Sequence, residues 1–137
     1  MNRAHLVLDR VESGLRFRAT VDDTAGLVFD DIKGSDPNPV QTVLAALGAC
    51  TGMDVISILR KKRQVVLGYE IELEGERRAE YPRVFTRITV VHRLRGRDLD
   101  PVAIADALSL SATKYCSVHG MLSGVAEITD RFEIVPA

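Results

Sequence analysis

The sequence predicts an α+β fold, antiparallel sheets around a long buried central helix, with elements in the order βββ-α-ββ-α-β. Three observations carry that prediction. Residues 39–63, PVQTVLAALGACTGMDVISILRKKR, place apolar side chains at nearly every angle around a helical axis, the mark of a buried helix. Short stretches before and after it alternate apolar and polar residues with a period of two, as half-buried strands do. Finally, strands and helices come in runs rather than in alternating β-α units, which favours antiparallel pairing.

Taken in order, His5 to Asp9 and Leu15 to Val21 form a predicted hairpin across Glu12-Ser13-Gly14. Leu15, Phe17, Ala19 and Val21 lie on one face, with Arg16, Arg18 and Thr20 on the other. A third strand, Gly26 to Asp30, follows the Asp22-Asp23 turn, and the loop Lys33 to Pro39, rich in turn formers, leads into the long helix. That helix is signalled by Asn38 as N-cap, Pro39 at its first position and Gln41 three residues after the cap, the spacing of a capping box. Arg60, Lys61, Lys62 and Arg63 put cations at the negative end of its dipole, and Gly68 follows. At 1.5 Å per residue it is about 37 Å long, more than a small domain encloses, so a second subunit is expected to cover part of it. Gln41, Thr42, Gly48, Thr51, Gly52 and Asp54 interrupt the apolar run, which argues against a membrane span. The small residues around Cys50 suggest close approach of another backbone or room beside a sulfur. Gly68 to Arg77 and Val84 to Leu94 form a second predicted hairpin across Glu80-Tyr81-Pro82, its glutamates and arginines pairing on a solvated face. Asp100-Pro101 opens a second helix, Val102 to about Leu122, with a kink expected near Ser109 to Ser111, and Val125 to Val135 closes the chain as a strand.

With 137 residues and 46% hydrophobic content, the chain is expected to form one domain, residues 1–137. A charged fraction of 27% and a net charge of -1 provide no basic footprint for nucleic acid. The N-terminus, MNRAHLVLDR, lacks the apolar core of a signal peptide, so a cytoplasmic location is expected, where thiols are kept reduced. Two cysteines 66 positions apart then read as free thiols or a transient redox pair rather than a staple.

Nucleotide-binding glycine loops, HExxH, G-x-S-x-G and tryptophan are all absent. His119, three residues after Cys116, has the one histidine spacing that could join a metal site, but C-x-x-H alone specifies none, and no metal is predicted. Asp22-Asp23 and Asp30-Asp31 sit in turns and read as solvated. The cysteines remain, in Gly48-Ala49-Cys50-Thr51-Gly52 and Lys114-Tyr115-Cys116-Ser117-Val118. Free cysteines are most often small buried hydrophobes, and spacing does not say whether the two helices bring these sulfurs together.

The segments LAALGACTGMDVISILRKKRQ (44–64) after Asn38-Pro39, ERRAEYPRVFT (76–86), GRDL (96–99) and LSATKYCSVHGML (110–122) resemble, in order, the OsmC/Ohr family of osmotically inducible and organic hydroperoxide resistance proteins, in its OsmC-like branch. The resemblance implies an OsmC-like fold in an intertwined homodimer, with cysteine sites at the subunit interface. It implies a thiol-dependent peroxidase of the antioxidant stress response, reducing organic hydroperoxides without a cofactor. Cys50 is then the peroxidatic thiol and Cys116 the resolving thiol, and a dithiol reductant, a lipoyl-type one being a candidate, reopens their disulfide. No nucleic acid or membrane partner is implied. An apolar surface around Cys50 is expected to favour organic over small polar peroxides. In the family an arginine from the N-terminal strands and a carboxylate just after the helix-opening proline support the reactive cysteine. Here Arg16 and Arg18 are the arginine candidates, but Val40 and Gln41 occupy the carboxylate position; Gln41 can hydrogen-bond an arginine without fixing it by charge. Asp54, one turn after Cys50, disfavours a nearby thiolate. The departure leaves a rival reading open: a non-catalytic dimeric protein binding a small hydrophobic ligand, with packing or redox-sensing cysteines.

Overall fold

Side-chain alternation builds the N-terminal strands as expected. The computed structural model describes residues 1–8, 14–30 and 36–136, and the contacts gather into two units, Met1–Val43 and Leu44–Ala137. In the first, β1 (Ala4–Leu8), β2 (Phe17–Val21) and β3 (Leu27–Phe29) form an antiparallel meander with Ala19 opposite both Leu6 and Leu27. The turn after β2 starts at Asp22, which adopts a positive φ of 50°. Its carboxylate accepts the Asn2 amide at 2.8 Å and the Arg3 N–H at 2.7 Å, and these bonds hold its pKa below the usual value. Gly26 is required at φ +98°, since a Cβ there would stand 2.5 Å from the Ala19 carbonyl oxygen. Arg16 and Leu15 precede β2 rather than lying in it. Asp9, Glu12 and Ser13 of the expected hairpin, Asp31, and Lys33 to Ser35 of the expected loop lie outside the described residues.

The long helix, α1, runs Pro39–Lys61 and begins with the anticipated box: Gln41 N–H donates to Asn38 Oδ1 and Asn38 N–H to Gln41 Oε1, both at 2.9 Å. Its end is made differently from the expectation. Arg63 takes the left-handed conformation at φ 59°, Arg63 N–H reaches Arg60 O and Gln64 N–H reaches Leu59 O, so an arginine holds the position that glycine usually fills.

In the second unit, β4 (Val65–Arg77) and β5 (Phe85–Arg97) form the predicted hairpin, each 13 residues long. The expected face of paired charges is present: Glu72 and Glu133 flank Arg93 at 3.0 and 3.2 Å, and Arg131 meets Glu133 at 2.9 Å. The last strand, β6 (Glu127–Ile134), lies parallel to β5, in register from Arg87↔Glu127 to Leu94↔Ile134. This corrects the all-antiparallel expectation. The chain leaves β5, crosses the sheet through helices and returns to the same end, so β5, the helices and β6 form a β-α-β crossover that the run-like element order concealed.

The second helix spans the expected stretch and is interrupted where the kink was expected, but the interruption divides it into three pieces: α2 (Pro101–Leu110), a π turn (Ser111–Tyr115) and α3 (Ser117–Leu122). Asp100 caps α2 as expected, accepting Val102 N–H at 2.9 Å. The break falls at Cys116, whose backbone is extended (φ -72°, ψ 104°) and whose N–H reaches Ser111 O.

Across the β4-β5-β6 sheet, Val55 and Leu59 of α1 join Leu94 and α2's Ala103, Ile104, Ala107 and Leu108 in one apolar cluster. Fully burying its valine, leucine and isoleucine side chains stabilises by roughly 1.5–3 kcal/mol each before chain entropy is counted. Gly48 and Gly52 face β4 so closely that an added Cβ would come within 2.6 Å of Leu73 and 2.7 Å of Ile71, which accounts for the small residues in this part of α1. Only one side of α1 is buried within the chain, along Leu47, Gly48, Thr51, Gly52, Val55 and Leu59; Ala45, Ala46, Ala49 and Met53 are exposed. The all-round apolar character therefore does not correspond to all-round burial within one subunit. Among the described helices α1 alone is long and apolar enough to cross a membrane, yet its buried face lies on the sheet and its polar residues are engaged as described next.

Candidate active site

Cys50 sits at the twelfth position of α1, far from the N-terminal dipole, with Thr51 and Asp54 on adjoining positions of the helix. Cys116 arrives from the break after the π turn. The wider turn ends the helix one residue before Cys116, and α3 then restarts with Cys116 as its N-cap, the sulfur accepting His119 N–H at 3.3 Å. The two segments bring Cys50 Sγ, Cys116 Sγ and an Asp54 carboxylate oxygen within 4.8 Å of one another. Spacing left the meeting of the sulfurs open; the fold settles it.

The surroundings of the sulfurs are unequal. Cys50 is partly accessible, whereas Cys116 is buried. Thr51 Oγ1 lies 3.6 Å from Cys116 Sγ, and Ser111 Oγ donates to Asp54 Oδ2 at 3.0 Å. Burial, reinforced by the Cys50 sulfur beside it, pushes the Cys116 thiol up; the His119 N–H and the Thr51 hydroxyl oppose this and do not overcome it. Cys116 is thus held as a thiol.

A pocket of about 340 Å³ opens next to the group, lined by Asp54, Ser57, Ile58, Lys61, Leu110 and Tyr115 among others. Its wall combines apolar side chains with lysines and a carboxylate, so it is less uniformly apolar than the helix sequence suggests. Lys62, also on its rim, is paired with Asp106 at 2.6 Å.

The supporting candidates belong to the N-terminal unit. Arg16 pairs with Asp36 at 3.1 Å, and Arg18 stands in β2 opposite Val7 and Val28. Gln41 Oε1 accepts the Asn38 N–H at the helix cap. His119 acts on Cys116 through its backbone N–H rather than its ring. Thr51 and Ser111, which join the site, were not among the expected site residues: hydroxyl residues are common in helices, and the kink expected near Ser109 to Ser111 does not say what the serine would touch.

A second polar group lies beneath the helices. His92, fully buried in β5, lies 2.6 Å from Tyr69 OH through Nδ1 and 2.8 Å from Asp130 Oδ1 through Nε2. Burial, then the Asp130 charge, pushes the Tyr69 phenol far above its usual value. A protonated phenol donating to Nδ1 and an Nε2–H donating to Asp130 satisfy all three groups. The sequence showed these residues only as members of three separate strands.

A family model described as OsmC-like protein matches residues 32–129. The chain is 48% identical over 101 residues to Protein YhfA of Escherichia coli (strain K12), a match spanning 74% of this chain and 75% of that protein. Among solved structures, a hypothetical protein from Aquifex aeolicus VF5 is similar with a TM-score of 0.88 at 29% identity, covering 100% of this chain and 98% of that one. The organic hydroperoxide resistance protein OhrB of Bacillus subtilis is similar with a TM-score of 0.64 at 18% identity, covering 97% and 98%, a likeness of fold.

Proposed function

The chain belongs to the OsmC-like family, and from that premise we propose that it reduces organic hydroperoxides through Cys50 and Cys116. The observation that carries the reading is the approach of an accessible and a buried sulfur to within 4.8 Å. The Cys50 thiolate attacks the terminal oxygen of ROOH. An S–O bond forms, the O–O bond breaks, and the departing alkoxide takes a proton to leave as ROH, with Cys50 as sulfenic acid. The Cys116 sulfur then attacks the Cys50 sulfur, forming the S–S bond and releasing water. An external dithiol reduces that disulfide and becomes a disulfide itself, so the net change is ROOH plus dithiol to ROH, water and oxidised dithiol.

Burial and a raised pKa keep Cys116 from competing for the peroxide, its proton is given up as it attacks the Cys50 sulfenic acid to form water, and its place at a chain break rather than in a helix interior suits the resolving role. The exposed small-residue face of α1 supports a homodimer in which a second copy covers Ala45, Ala49 and Met53. The rival reading, a binding protein for a small hydrophobic ligand, draws support from Val40 and Gln41 at the position where a carboxylate is expected. Peroxide consumption with cumene or fatty-acid hydroperoxide and dihydrolipoamide tests the proposal. Consumption that requires all three components, with alcohol formed in equal amount, is expected. A rate equal to the protein-free control gives the ground to the binding reading.

A further inference from the structure

We propose that the reduced site is also a zinc site, in which Cys50, Cys116 and Asp54 bind one thiophilic divalent cation and take the peroxidatic sulfur out of reaction. Among the described residues these three side chains form a candidate ligand group, their donor atoms all within 4.8 Å of one another. Two thiolates, one carboxylate and a water make a four-coordinate set of the kind zinc accepts. With Zn–S bonds of ~2.3 Å, the sulfurs of such a site stand about 3.8 Å apart, so closure asks for a side-chain adjustment of at most about 1 Å. The two segments suit the task. Helix α1 fixes Cys50 and Asp54 one turn apart, and Cys116 comes from a joint between the π turn and α3.

The surroundings resemble the outer shell that orients metal ligands. Ser111 donates to one carboxylate oxygen of Asp54, leaving the other as its remaining acceptor. His119 N–H and the Thr51 hydroxyl approach Cys116 Sγ, where they offset charge on a coordinated thiolate. Lys61 lines the same pocket as Asp54. Binding exchanges two thiol protons for the metal and changes no oxidation state. It excludes peroxide chemistry in one direction and is excluded by it in the other, because a Cys50–Cys116 disulfide has no thiolate to offer.

The test uses the full, reduced chain, Zn²⁺ alone in competition with a chromophoric chelator, and Co²⁺ as spectroscopic probe. The expected result is one metal per chain, with thiolate-to-cobalt charge-transfer absorption and tetrahedral ligand-field intensity. Asp54→Asn, which keeps an acceptor for Ser111, should weaken zinc by about tenfold or more with the count of titratable thiols unchanged. Cys50→Ser and Cys116→Ser should each remove the charge-transfer band of a two-thiolate site, and the disulfide form should bind no metal. Zinc affinity that is unaltered by Asp54→Asn, or retained by the oxidised chain, overturns the inference. The peroxidase reading fails separately, since zinc binding is measured with no hydroperoxide present.

Discussion

Two polar groups, one on the strands of the second sheet and one on the helices, are built in opposite ways. In Tyr69–His92–Asp130, hydrogen bonds of 2.6 and 2.8 Å connect a fully buried ring to two partners, and every donor has an acceptor. Around the cysteines, the contacts to sulfur are 3.3 and 3.6 Å, one sulfur is accessible, and a carboxylate stands within reach of both. A short, closed network in a low-dielectric interior fixes structure, because any member removed leaves a buried group unpaired. A loose group of nucleophiles with an opening can change partners, which is what redox or metal chemistry asks of it. The contrast assigns stability to the first group and chemistry to the second.

The largest expected effect breaks the chemistry without breaking the fold. Cys50→Ser should bring hydroperoxide reduction down to the uncatalysed background, whereas Cys116→Ser should still undergo one oxidation and leave a Cys50 sulfenic acid that a dimedone-type reagent traps. Equal residual turnover in the two variants would contradict the assigned roles. The converse experiment is His92→Leu. It leaves Tyr69 and Asp130 without their shared partner, each at a cost of about 1–3 kcal/mol, so a loss of roughly 3 kcal/mol in chemical denaturation is expected, with thiol alkylation of the folded protein unchanged. A stable His92→Leu protein with slow thiols would reverse the assignment of the two groups.

The difference between the groups also explains what the sequence could disclose. Caps are local, so Asn38–Gln41 and Asp100–Pro101 were legible from residues three or fewer apart, as was the β4–β5 hairpin from its alternation. Cys50 and Cys116 were visible as candidates through residue type and family resemblance. Their approach was implied by the resemblance but not by spacing, because it also depends on how the helix is interrupted: the kink expected near Ser109 to Ser111 is a π turn over Ser111–Tyr115, and residue type alone does not give its form. The parallel β6 was missed for a similar reason: its direction is set by the helical crossover, not by its own alternation. His92 illustrates the limit most clearly. A lone histidine in a strand says nothing of a tyrosine 23 positions earlier and an aspartate 38 positions later that only sheet register brings to it.

An intermediate effect separates Asp54 from the stability network. Ser111→Ala deletes the hydroxyl that donates to the half-buried Asp54 carboxylate and should cost about 1 kcal/mol, well below the effect of His92→Leu. It also releases the carboxylate beside the sulfurs, so the rate of thiol alkylation should change measurably at constant pH. A variant in which stability falls by several kcal/mol while alkylation stays the same would make the cysteine group structural after all.

The smallest effect lies in alkaline stability, where the two groups should give way in sequence. Cys116 and Tyr69 both have raised pKa values in the folded protein, chiefly because burial disfavours their charged forms. For a group raised in this way, the unfolded chain loses its proton first. Its stabilising contribution is therefore complete below the unfolded pKa and drains away as pH climbs toward the folded one. For a thiol the decline begins near pH ~8.5, and for a phenol near pH ~10, with a slope of at most about 1.4 kcal/mol per pH unit for each group. Urea denaturation from pH 7 to 11 should show stability falling first through the thiol range and more steeply once the phenol joins. Cys116→Ser should flatten the first part and leave the second, while Tyr69→Phe should do the reverse, from a lower starting stability because Nδ1 of His92 loses its donor. Wild-type and Cys116→Ser curves that fall together from pH 8.5 would mean that Cys116 is no more shielded in the folded chain than in the unfolded one, and a sulfur so placed could not be the protected resolving thiol.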